Sequence, residues 1–146
     1  MVGEPAGAPE VPPRLHHVAF AVRRESFGRA SEYLGGLGFH LAEFELDDVG
    51  LRVAIDWAGG VELLTPTDDH LAEPGSVGDF LACQGEGVFS VVVRVPDADQ
   101  LSQIARAAGA AERYRQERRV GDFTVKEVEV TALFGIPLTF LETDLD

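Results

Sequence analysis

Apolar and polar residues alternate along Leu15-His16-His17-Val18-Ala19-Phe20-Ala21-Val22, the period-two pattern of a half-buried strand over residues 14–22. The period then changes. Phe27, Ala30, Ser31, Leu34 and Leu37 recur at helical spacing, Ser26 is placed to cap that helix, and Gly35, Gly36 and Gly38 supply its stop. Alternation resumes over residues 40–46, 51–57 and 61–65, with Gly59-Gly60 as a tight hairpin between the last two. The order is strand, helix and three strands.

The same order returns. Val88-Phe89-Ser90-Val91-Val92-Val93-Arg94-Val95 predicts a strand over residues 88–95. A helix follows, with Asp97 and Gln100 as a capping box and Leu101, Ile104, Ala105 and Ala108 as its apolar stripe; Gly109 ends it. Strands are predicted over residues 111–120, 123–130 and 138–143, with Pro137 at a strand start, where its missing N–H is tolerated. A βαβββ unit used twice predicts an α+β fold of two fused modules, with curled mixed sheets around a central cavity. The expected organisation is a disordered, proline-rich tail over residues 1–13 and a first module over 14–66. A linker with one short helical turn near 77–82 spans 67–87, and the second module covers 88–144.

Composition narrows the function. The 146 residues are 45% hydrophobic, enough for a real core. With 12 basic against 25 acidic residues the net charge is −13, which argues against nucleic acid as a partner. Arg113, Arg115, Arg118 and Arg119, interrupted by Glu112 and Glu117, read as a solvated strand face. No apolar run is long enough to span a bilayer, no signal peptide is visible, and the single Cys83 reads as a small buried hydrophobe; a cytoplasmic protein is expected.

With these elements placed, the chain resembles a family. Leu-His-His-Val-Ala-Phe-Ala-Val, a helix, and then Val-Glu-Leu-Leu-Thr-Pro is similar to the first half of a vicinal oxygen chelate protein. That superfamily includes glyoxalases, bleomycin-resistance proteins, extradiol dioxygenases and methylmalonyl-CoA epimerases. The stretch Phe80-Leu81-Ala82-Cys83-Gln84-Gly85-Glu86-Gly87-Val88 resembles the segment preceding the second half of the epimerases. The resemblance spans residues 14–144. It implies a divalent metal (zinc, nickel, cobalt, manganese or iron) held by two ligands per half, and a homodimer.

Carried onto this sequence, the implied ligand positions are His17 and Glu62 in the first half and Ser90 and Thr139 in the second. The first two suit a metal; the second two are neutral hydroxyls. A catalytic metal generally needs about three protein ligands, so no tightly bound metal is expected. Glu142 offers a carboxylate nearby, but strand alternation puts it on the other face from Thr139.

Other readings stay open for each residue. Glu62 interrupts an apolar strand, so it should be protonated, coordinated or paired with His17. That pair serves equally as a general base or as a satisfied polar island. Ser90 and Thr139 either donate hydroxyls to a ligand or merely fill space. Arg94, on the face of Ser90, either binds a substrate anion or meets solvent; Trp57 either stacks on a flat ligand or joins the core. Asp47 and Asp48 read as a hairpin turn, although they resemble the acidic turn of the epimerases. The expectation is a protein that binds a small organic molecule. The alternative is a glyoxalase- or epimerase-like lyase or isomerase using His17 and Glu62.

Overall fold

The computed structural model describes residues 9–68 and 73–145. Its elements run β1 (Arg14–Ala21), α1 (Arg24–Gly36), β2 (Ala42–Leu46), β3 (Leu51–Asp56), β4 (Val61–Pro66), α2 (Val77–Gln84), β5 (Gly87–Arg94), α3 (Ala98–Ala108), β6 (Glu112–Val120), β7 (Phe123–Val130) and β8 (Leu138–Thr143). The βαβββ order therefore occurs twice, and the α+β class expected from the periodicity is the observed one. Of the tail expected over residues 1–13, residues 1–8 lie outside the described residues. The chain forms two compact units: residues 17–90, and residues 91–145 with the N-terminal segment up to His16.

In the first unit the strand order is β2-β3-β4-β1, with β1 parallel to β4 and the other pairs antiparallel. Alternation sends Leu63 and Ala54 to one face and Leu64 and Val53 to the other. Helix α1 covers the first face through Phe27, Ala30 and Leu34; Phe27 is 1% exposed. Helix α2 covers the second through Val77, Leu81 and Phe80, joined by Phe89, whose ring meets Phe80 edge-on at 5.4 Å. Thus the linker helix packs on the face opposite α1.

Two local expectations are corrected here. Ser26 does not cap α1. Arg23 is the capping residue and has no side-chain cap bond; instead the Glu86 carboxylate accepts the Arg23 backbone N–H at 2.9 Å and bonds Ser26. These bonds hold the Glu86 carboxyl below its usual range. The cap thus arrives from the far end of the linker and serves donors that the helix leaves unsatisfied. Cys83 is exposed, because Val77 and Leu81 form the buried stripe of α2; its thiol lies 3.5 Å from Asp79, whose carboxylate raises the thiol pKa. The expected turn at Asp47 and Asp48 forms as read, closing through the Val49 N–H to the Leu46 carbonyl, with Gly50 at φ 63°.

In the second unit the order is β5-β8-β7-β6, again with one parallel pair. Asp97 caps α3 by accepting the Gln100 N–H at 3.1 Å. Helix α3 packs Ala98, Leu101 and Ala105 on Val128, Val130, Leu138 and Phe140. Ile104, expected in that stripe, is 40% exposed.

Candidate functional site

The registers of the two modules can be compared one at a time. In the first, Ala19 is the partner of Glu62, and His17 lies two residues earlier on β1. In the second, Val92 is the partner of Thr139, and Ser90 lies two residues earlier on β5. His17 therefore corresponds to Ser90, and Glu62 to Thr139.

His17 and Glu62 share the face opposite α1. His17 is 2% exposed and the Glu62 side chain 17%. The His17 Nε2 lies 3.4 Å from Glu62 Oε1, an ion-pair contact longer than a strong hydrogen bond. Burying either group alone would be costly, and together they offset part of that cost. Ile55 flanks Glu62 on β3, and Trp57 follows that strand with its ring 6.2 Å from the imidazole at a 39° tilt. The result is a carboxylate and an imidazole in an apolar, aromatic surround.

The β3–β4 turn fixes where Trp57 sits. The Asp56 carboxylate accepts the Gly59 N–H at 2.8 Å and the His40 N–H at 2.9 Å, while Gly60, at φ 78°, donates to the Asp56 carbonyl. The two backbone bonds, that from His40 first, hold the Asp56 carboxyl below its usual range.

Ser90 and Thr139 are buried, at 3% and 4% exposure. Arg94 shares their face, but its guanidinium donates to the Thr143 carbonyl at 2.9 Å, further along β8 than Thr139. Among the described residues no group of three or more His, Cys, Asp and Glu side chains converges as metal ligands. The four implied ligand positions hold one imidazole, one carboxylate and two hydroxyls.

Sequence reasoning missed polar groups of the second module. On β7, Val128 and Val130 face α3, so Glu127 and Glu129 face the other way, with Leu141 and Thr139 as their respective β8 partners. Register shifts on β6 between Glu112 and Tyr114, so that Arg113 and Tyr114 both stand opposite Glu129. Arg113 Nε donates to Glu129 Oε2 at 2.9 Å. Arg113 and Arg118 are half-buried rather than solvated, which corrects the reading of that cluster. The alternation of Glu127 and Glu129 with valines was the available signal; the bulge left none.

No protein-family model matches the chain, and no curated protein sequence does. Solved structures do. Methylmalonyl-CoA epimerase from Mycobacterium tuberculosis is 26% identical over 88% of this chain and 87% of its own, with a TM-score of 0.66. A Streptomyces coelicolor methylmalonyl-CoA epimerase variant in complex with 2-nitronate-propionyl-CoA is 23% identical over 90% and 98%, with a TM-score of 0.67. A hypothetical protein from Bacillus halodurans C-125 is 19% identical over 93% and 98%, with a TM-score of 0.71. The repeated βαβββ order, the matched registers and these neighbours agree: the chain has the vicinal oxygen chelate fold of the glyoxalases and bleomycin-resistance proteins.

Proposed function

We propose that this protein binds a small organic molecule against the face bearing His17, Glu62 and Trp57, without a metal ion. The observation that carries the reading is the His17–Glu62 pair at 3.4 Å, a largely buried acid–base couple on an otherwise apolar face. Ligand sites are mostly apolar with a few placed polar groups, and this face has that make-up. Glu62 accepts a hydrogen bond or opposes a ligand cation, His17 holds that carboxylate in place, and Trp57 gives a flat apolar wall.

A second reading is proton transfer of the epimerase kind, favoured by the similarity to epimerases of M. tuberculosis and S. coelicolor. In it Glu62 takes the proton and His17 stabilises the charged carboxylate. The fold hosts many chemistries, so the site decides, not the likeness.

The test is a melting-temperature screen of acyl-CoA esters and cationic aromatic compounds, each with and without chelator. The reading predicts a compound whose stabilisation persists in chelator and disappears in Glu62→Gln. Stabilisation that chelator abolishes would overturn it. Turnover of a stabilising acyl-CoA ester, lost in the same variant, would select the second reading.

A further inference from the structure

Strand β2 is the edge of the first unit's sheet, paired on one side with β3 and on the other with no described strand. Residues 42–45 are exposed, and among the described residues they make no backbone hydrogen bond except to β3. In antiparallel pairing alternate residues turn their N–H and C=O away from the partner, so β2 presents a row of unpaired donors and acceptors. Its two faces differ. Glu43 and Glu45 lie on the α1 face, beside Ala54 and Arg52, while Ala42 and Phe44 lie on the other, beside Ile55 and Val53. Phe44 is 44% exposed. Charge on this edge is one-sided. Residues 42–52 hold four carboxylates, Glu43, Glu45, Asp47 and Asp48, against one cation, Arg52. Arg52 donates to Glu43 at 2.7 Å, and its guanidinium lies 4.7 Å from the centre of the Phe27 ring. The Glu45 carboxylate, opposite Arg52 in register, has no ion-pair or hydrogen-bond partner among the described residues.

We infer that β2 docks an extended segment of a partner protein in which Lys or Arg alternates with apolar residues. Added as a further strand, such a segment satisfies the outward N–H and C=O groups of β2. Its cations then lie beside Glu43 and Glu45 on one face, and its apolar side chains cover Phe44 on the other. An acidic segment would set like charges side by side, and a neutral one would leave Glu45 unmatched. Charge therefore selects the partner, and backbone bonding selects its conformation. The inference stands apart from the proposed function, which concerns Glu62.

The probe is the blocked peptide Lys-Val-Lys-Val-Lys-Val-Lys, titrated into the whole protein at low salt and read by amide chemical shifts. The inference predicts saturable binding, with the largest shifts in residues 42–46 and slowed exchange of their outward amides. The peptide with Glu in place of Lys should not bind. N-methylation at alternate residues, in one of its two phases, should weaken binding at least tenfold with the charge unchanged. Glu45→Lys should also weaken it at least tenfold. Asp122→Lys, the same charge change on the β6–β7 turn, should alter it less than twofold. The N-methylated peptides decide the matter alone if Glu45→Lys does not fold. Equal losses in the two variants, undiminished binding by both N-methylated peptides, or no saturable binding would overturn the inference. So would shifts in residues 42–46 that follow protein concentration without peptide, since a second copy would then cover the edge.

Discussion

Glu62 is the residue on which the functional reading turns, because a carboxylate persists there between the buried strands β3 and β1 only with a compensating partner. His17 is that partner at 3.4 Å. If Glu62 is structural only, Glu62→Gln keeps the size, removes a half-buried charge, and leaves stability unchanged or raised. The account expects that stability outcome together with ligand binding weakened more than tenfold, about 1.4 kcal/mol. Melting temperature and affinity on the one variant separate the two effects.

Asp99 gives the residue-scale test of pH. Lys126 and Arg115 hold its carboxyl below the usual range, hydrogen bonding from Lys126 being the larger cause. A carboxyl depressed in the folded state contributes stability that is fully present above its ordinary value, about 3.9, and is lost as pH falls through the folded value. The melting-temperature gap between the native protein and Asp99→Asn should therefore be largest near neutrality and close below about pH 4. It should also shrink at high salt, since the pair is partly exposed. A gap that widens on acidification would contradict the assignment.

At the scale of elements, α1 depends on a cap from another part of the chain. Removing an N-terminal cap typically costs about 1 kcal/mol, so Glu86→Ala should lower stability by about that amount and fray the start of α1 first, read by amide exchange. The Gly-Glu-Gly segment thus has a structural reason, whatever its likeness to epimerases. Gly59 is the second sensitive point. A Cβ there would collide with the Asp56 carboxylate and crowd Phe39, so Gly59→Ala should disturb the turn before Trp57's neighbour strand and lower the melting temperature. These dependencies also explain which elements were legible. The helices and strands read from periodicities of 3.6 and 2, and burial alternates along β1, whereas β4 and β8 are buried over continuous runs. The cap of α1 was not readable from its own neighbourhood, because its acceptor lies 63 residues away. Arg113 was misread because a bulge shifts alternation by one residue, and a one-residue slip moves every later side chain to the other face.

For the whole molecule, the repeat made the fold legible and left the chemistry less so. Two copies of one βαβββ order, with matching registers, make His17 and Ser90, and Glu62 and Thr139, comparable positions without any alignment. The first module bears an imidazole and a carboxylate at these positions, while the second carries hydroxyls there, with Glu129 beside Thr139 on β7. No described helix is long and apolar enough to cross a membrane.

The central claim is that His17 and Glu62 work as a pair and not as half of a metal centre. The direct measurement is the metal content of protein purified without chelator, by elemental mass spectrometry. The account predicts well under one equivalent of zinc, nickel, cobalt, manganese or iron, the same for the native chain and for His17→Ala. One equivalent of a single metal in the native chain, lost in His17→Ala and in Glu62→Ala, would contradict it.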